Sequence, residues 1–188
     1  AIGFVPCFIF FADLSWFQYL VAAFIAGLTG VAIWEYEQFV KAKGGQMILP
    51  ALISIGVILV FSFLAATYLP DAGGAIPLLV FFFGFLILIA LHFKEKDGAI
   101  VDLAVSTFGL IYIAIPMGMI LGVLLGNLAE QDGRWWVGYL LVVTKISDMG
   151  AYFGGNLWGK RKLAANISPG KTVEGAITGL ICAVLASF

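Results

Sequence analysis

Five stretches of this chain stay apolar for about the 20 residues that a helix needs to cross a bilayer. They cover residues 14–34, 47–69, 75–93, 103–128 and 135–157, and a sixth run starts near Val173 and is still apolar at Phe188. Runs of that length read as spanning helices. The chain is therefore expected to be all-α, a polytopic membrane protein with about six to seven transmembrane helices in its 188 residues. Before Asp13, "AIGFVPCFIFFA" is too short to span alone and is expected to finish a helix that begins elsewhere. Ala1 without a Met and Phe188 within an apolar run are both expected to be cut ends.

Composition supports the same solvent. The chain is 62% hydrophobic and 11% charged, whereas a soluble domain carries roughly a quarter charged residues. A net charge of −1 gives no field to steer nucleic acid, so no nucleic-acid partner is expected. Cys7 and Cys182 lie in apolar runs without ligand spacing and read as small buried hydrophobes.

The loops orient the spans. Lys41, Lys43, Lys94, Lys96, Lys160, Arg161, Lys162 and Lys171 are eight of the ten basic residues, and all fall on one side of the alternating topology. The opposite loops hold Asp71, Glu130, Asp132 and Arg134. The positive-inside rule assigns the basic side to the cytoplasm. Trp135 and Trp136 suit a bilayer interface. Gly118, Gly122 and Gly126 are spaced four apart for close helix packing. Pro116 is expected to kink its helix. His92, at the end of a span, reads as an interfacial side chain, and "KEKD" at 94–97 as a solvated turn.

Candidate chemistry concentrates in residues 142–175, "VVTKISDMGAYFGGNLWGKRKLAANISPGKTVEG". The chain divides accordingly into N-terminal helices, 1–133, and a region 134–188 that begins the catalytic part and carries a basic loop at 156–172. Lys145 and Asp148 are ionisable groups within a span, costly there unless they face a cavity or a partner. Three residues apart, they can pair. The glycines at 150, 154, 155 and 159 allow close approach of a backbone or ligand, and the cations after them suit an anionic headgroup or a triphosphate as well as anionic lipid.

"GKT" at 170–172 has the tail of a phosphate-binding P-loop, but Ala165 occupies the first glycine position and no strand-forming segment is evident. What remains is a helix start: Ser168, Pro169 and Thr172 suit an N-terminus whose N–H groups and dipole favour phosphate. Lys171 adds a charge there, and Glu174 suits a cap or a metal.

The segment from Ser147 to Gly175 resembles the central part of the phosphatidate cytidylyltransferases (CDP-diacylglycerol synthases). That family has D-[ST]-G-A-Y on a helix, then G-x-x-x-G-K-x-K-L and S-P-x-K-T-x-E-G. The matching residues are Asp148, Gly150, Ala151, Tyr152, Gly155, Gly159, Lys160, Lys162, Leu163, Ser168, Pro169, Lys171, Thr172, Glu174 and Gly175. Met149 stands where the family has a small hydroxyl residue. The family's C-terminal signature, with its metal-binding carboxylates, does not occur in these 188 residues, so this polypeptide is expected to be inactive alone.

The resemblance implies a nucleotidyltransferase of phospholipid biosynthesis that converts CTP and phosphatidate to CDP-diacylglycerol and pyrophosphate with Mg²⁺. It further implies an enzyme of the bilayer, in a bacterial-type inner membrane, facing the cytoplasm and acting as a homodimer. Asp148 and Lys171 are the expected catalytic residues. Ser168, Lys171, Thr172, Lys160 and Lys162 are expected to bind phosphate, and Asp148 and Glu174 a metal. The alternative is a transporter in which Lys145 and Asp148 form an intramembrane ion or proton site.

Overall fold

The structure, a computed structural model, describes residues 15–69, 73–93, 98–128, 131–164 and 168–188. Cys7, Asp71, Glu130, Ala165, the turn 94–97 and the segment before Asp13 lie outside them. The elements are α1 (Ser15–Ala42), α2 (Leu49–Tyr68), α3 (Ala75–His92), α4 (Ala99–Gly109), a π-helical turn (Leu110–Ala114) and α5 (Ile115–Leu125). Then come β1 (Asn127–Leu128), β2 (Gln131–Asp132), α6 (Gly133–Trp158), β3 (Lys162–Ala164), β4 (Ser168–Thr172) and α7 (Val173–Ala186). The chain forms two compact units, Ala1–Arg134 and Trp135–Phe188.

Four helices among the described residues are long and apolar enough to cross a membrane: Trp16–Ala42, Leu49–Tyr68, Ala75–His92 and Ala99–Leu125. The protein is thus all-α and polytopic as expected. Helix α6 is 26 residues long, but Lys145, Asp148 and its glycines dilute its hydropathy. Helix α7 has only 14 residues.

In the first unit α2 is the central helix, packed on α1, α3 and α5. Its buried positions, including Leu52, Ile55, Gly56, Leu59 and Val60, recur at the three- and four-residue spacing of one broad helix face, while Ile58 and Phe61 on the other side stay exposed. Lipid tails are as apolar as leucine, so contact between such helices depends on fit rather than on escape from water. Glycine notches supply the fit. A Cβ at Gly56 would lie 2.7 Å from Ile33 Cδ1, and one at Gly84 would lie 2.6 Å from Ile55 Cγ2. Gly118 and Gly122 both face the ring of Phe63, so two of the three spaced glycines do close-pack, whereas Gly126 terminates α5 in extended conformation. Large side chains such as Leu78, Phe83 and Tyr112 remain exposed on the outer faces, as lipid contact permits.

The π-helical turn ends immediately before α5, which carries Pro116 in its first turn. Proline has no N–H and crowds the carbonyl four residues back, and one widened turn accommodates both.

His92 departs from expectation. It is 2% exposed rather than interfacial. Its Nδ1 lies 2.8 Å from the Leu88 carbonyl, which can only accept, so Nδ1 carries the proton and Nε2 accepts from the Ser106 hydroxyl at 3.3 Å. The imidazole bridges α3 and α4. Glu37, which has no distinguishing local signature, is 3% exposed and pairs with Lys41 at 3.0 Å.

The two ends of this unit are distinct. The Gln46 amide donates to Asp102 Oδ1 at 2.8 Å, which fixes the α1–α2 and α3–α4 junctions at one end, as the loop charges require. Gly44 makes the first turn possible with φ of 83°, a conformation costly for other residues. Beyond α5, β1 and β2 pair antiparallel, Asn127 opposite Asp132. Asp132 there accepts the Arg134 amide at 2.9 Å and its Nε at 2.6 Å. The Arg134 side chain holds this carboxyl below its usual range.

Candidate functional site

The second unit is a helical hairpin crossed at one end by a small β-ribbon. Helices α6 and α7 run antiparallel, with Tyr139 opposite Ser187, Ser147 opposite Gly179 and Gly155 opposite Gly175. The residues between them are almost all small, and for a steric reason. A Cβ at Gly150 would fall 2.5 Å from Cys182 Sγ, and one at Gly175 would fall 2.8 Å from the Ala151 carbonyl oxygen. A Cβ at Gly154 would collide with Thr178. Backbones this close accept hydroxyls directly: Ser147 Oγ donates to the Gly179 carbonyl at 3.2 Å, and Thr178 Oγ1 reaches the Gly150 carbonyl at 3.1 Å.

The glycines of "GAYFGG" are therefore occupied in bringing α7 against α6. Cys182 sits half-buried in that contact.

Between the helices, β3 and β4 pair antiparallel, Lys162 opposite Thr172 and Ala164 opposite Ser168, with an irregularity between residues 162 and 164. This ribbon corrects the expectation that no strand surrounds "GKT". It is a two-stranded ribbon and not the sheet of a P-loop domain, and Gly170 and Lys171 lie within β4 rather than in a loop around a ligand.

Thr172 is the N-cap of α7, as its sequence position suggested. Its Oγ1 accepts from the Gly175 amide at 3.2 Å. The Val173 amide donates to the Arg161 carbonyl at 2.9 Å. Two of the amides that open α7 are thus committed to the protein itself, which leaves the side chains, rather than a bare helix start, as the means of holding an anion.

Glu174 locks ribbon to helix: its Oε2 accepts the Lys160 amide at 3.0 Å and the Arg161 amide at 3.1 Å. Glu174 lies outside the four long apolar helices. Its own amide first, and then those of Lys160 and Arg161, hold its carboxyl below the ordinary value, because each donor stabilises the anion. Its geometry is that of a structural cap with one oxygen already spent.

Lys160, Arg161, Lys162 and Lys171 are exposed on this ribbon and its approach, with Glu174 the sole carboxylate on the described stretch 159–164 and 168–174. Ser168 and Thr172 are half-buried beside them. Strand alternation places Lys162 and Thr172 on one face and Lys171 on the other. Five of the six expected phosphate and catalytic residues thus lie in the β3–β4 ribbon or, for Lys160, two residues before it.

Asp148 stands apart on α6, exposed, as is Lys145. No ion pair joins Lys145 and Asp148 among the described residues, which corrects the pairing expected from their spacing. A lysine preceding its acid on a helix is also the weaker order for such a pair. Among the described residues, no group of three or more His, Cys, Asp or Glu could hold a metal ion. The carboxylates present fit a divalent ion only as contributors, in the manner of Mg²⁺ held by one or two carboxylates plus phosphate oxygens and water.

The whole chain, residues 1–188, matches the Cytidylyltransferase family. A phosphatidate cytidylyltransferase of Chlamydia pneumoniae is 33% identical over 174 residues, 88% of this chain and 56% of that protein. One from Bacillus subtilis is 32% identical over 164 residues, 86% of this chain and 58% of that protein. One from Haemophilus influenzae is 50% identical over 50 residues, 27% of this chain and 17% of that protein. The chain spans about half the length of the first two. No solved structure matches.

Proposed function

The chain belongs to the Cytidylyltransferase family, and from that premise we propose that it forms part of a phosphatidate cytidylyltransferase. In the proposed reaction a phosphate oxygen of phosphatidate attacks the α-phosphorus of CTP. A new P–O–P linkage forms, the α–β bridging bond breaks, and pyrophosphate leaves with the electron pair. The observation that carries this reading is the ribbon that leads into α7, which with the residues just before it carries four exposed cations and two hydroxyl residues beside a locked helix start. Phosphoryl-type transfer needs little covalent help from protein and depends on positioning and on neutralising charge.

Each residue has a proposed part. Lys171, Ser168 and Thr172 hold phosphate oxygens, while Lys160 and Lys162 draw the anionic substrates to the ribbon. Glu174 fixes the ribbon on α7, so its part is positioning. Asp148 supplies a carboxylate to a divalent ion, proposed to be Mg²⁺, which would neutralise charge on the triphosphate when bound. The protein resides in the membrane because its acceptor does. Following the loop charges, the ribbon faces the cytoplasm, where CTP is, in a bacterial-type inner membrane.

The test is CTP-dependent conversion of phosphatidate in detergent by the protein at its full natural length. Mg²⁺-dependent pyrophosphate release is expected, with Asp148→Ala and Lys171→Ala each lowering it by about 100-fold or more, the scale for losing one preorganised charge-stabilising group. Unchanged rates in both folded variants would remove these residues from the site.

A further inference from the structure

Along the α6–α7 hairpin runs a groove of about 400 Å³. Ile146, Met149, Phe153, Leu157, Trp158 and Ile181 form its walls, and its floor is the glycine contact of Gly150 and Gly154 with Thr178 and Cys182. All of it lies within the second unit. We infer that this groove holds one acyl chain of the phospholipid acceptor, with the lipid phosphate at the basic ribbon. The inference deepens the function proposed above and rests on it for the identity of the lipid.

Three observations converge on that occupant. First, the groove is apolar along its length and ends at Trp158, two residues before the cations Lys160, Arg161 and Lys162. An apolar slot leading to a cationic end complements an anionic amphiphile. Neither a nucleotide nor a zwitterionic lipid matches both halves as well.

Second, its length suits one leaflet. From Ile146 to Trp158 is about 18 Å at 1.5 Å per residue, and half of a hydrocarbon core is about 15 Å. Third, the residue by which this chain departs from D-[ST]-G-A-Y, Met149, is one of the walls. A thioether side chain is a flexible filler for a surface that must accept chains of varied shape. Its neighbour Asp148 is not part of the lining.

The test uses two phosphatidate probes, with a photoactivatable diazirine at the end of one acyl chain or near the glycerol, on the full-length protein in micelles. The same acyl chain on phosphatidylcholine is the comparison. Wild-type protein is expected to be labelled on peptides from α6 and α7, more by phosphatidate than by phosphatidylcholine. Ile146→Trp and Ile181→Trp narrow the end of the groove far from the ribbon. Each should cut labelling by the chain-end probe at least about tenfold, near the lower end of what one methylene is worth in an apolar pocket, and leave labelling by the glycerol probe intact.

In turnover, the same variants should raise KM for long-chain phosphatidate and spare dioctanoyl phosphatidate. Labelling spread over other helices, equal labelling by phosphatidylcholine, or indifference to both tryptophans would overturn the inference. Groove labelling without turnover would sink the cytidylyl-transfer reading alone, and turnover with labelling elsewhere would sink the groove alone.

Discussion

Gly154→Ala is the substitution that most sharply tests the architecture under the site. An added Cβ would meet Thr178 Cβ at 2.5 Å and Cγ2 at 2.7 Å, besides colliding with its hydroxyl. Overpacking of this kind costs about 1–3 kcal/mol. The displaced Thr178 would also surrender its bond to the Gly150 carbonyl, worth about 0.6 kcal/mol on average between membrane helices. Against these stands the gain of about 1 kcal/mol from replacing helical glycine by alanine.

Gly138→Ala isolates that gain, because nothing lies within 4 Å of a Cβ there. The difference between the two variants cancels the propensity effect and should be about 2–4 kcal/mol. Thermal unfolding in detergent, followed by a probe within the second unit, reads it. Thr178→Ala removes the hydroxyl and methyl but keeps its Cβ, so the double variant should be destabilised by less than the sum of the singles. Equal stability of Gly154→Ala and Gly138→Ala would refute the close contact.

Other outcomes follow from individual contacts. Ser106→Ala strands the buried Nε2 of His92 and should cost about 1–3 kcal/mol of stability, the penalty for an unsatisfied buried group, with unfolding midpoints as the measure. Lys41→Ala should destabilise more than Glu37→Gln, since the first leaves a buried carboxylate uncompensated; about 3–5 kcal/mol for a fully buried pair is the ceiling, because Lys41 itself is 56% exposed. For Glu174, whose folded carboxyl lies below its ordinary value, the stabilisation is present above the unfolded value and is lost as pH falls through the depressed one. Hydrogen-exchange protection of the Lys160 and Arg161 amides, corrected for intrinsic rates, should therefore drop on acidification, and Glu174→Gln should abolish that dependence.

Much of this molecule is legible from run length alone, because a helix in lipid must satisfy its own backbone and so announces itself by about 20 apolar residues. The glycine spacings at 118 and 122 were equally readable, although nothing local identified Phe63 as the side chain they receive. The place of His92 is not legible locally, because its burial depends on Ser106, a partner on the next helix, and a span end looks interfacial in one dimension. The ribbon of β3 and β4 is hidden in the sequence because "KLA" and "SPGKT" carry weak strand propensity and a proline; pairing, not composition, makes them strands. Thr172 was found as a cap because hydroxyl residues before a helix have a local signature. The Lys145–Asp148 pairing failed because spacing permits contact without enforcing it, and both side chains instead point outward. The glycines around Asp148 permit close approach of a backbone or a ligand, and it is α7 that takes the space.

The most direct measurement of the central claim follows phosphorus. The full-length protein is given phosphatidate and CTP labelled at either the α- or the γ-phosphate. Transfer of a cytidylyl group predicts that α-label enters the lipid phase while γ-label appears only in pyrophosphate, and that Lys171→Ala suppresses both together. Label from the γ-phosphate in lipid, or no label in lipid with folded protein and both substrates present, would contradict it.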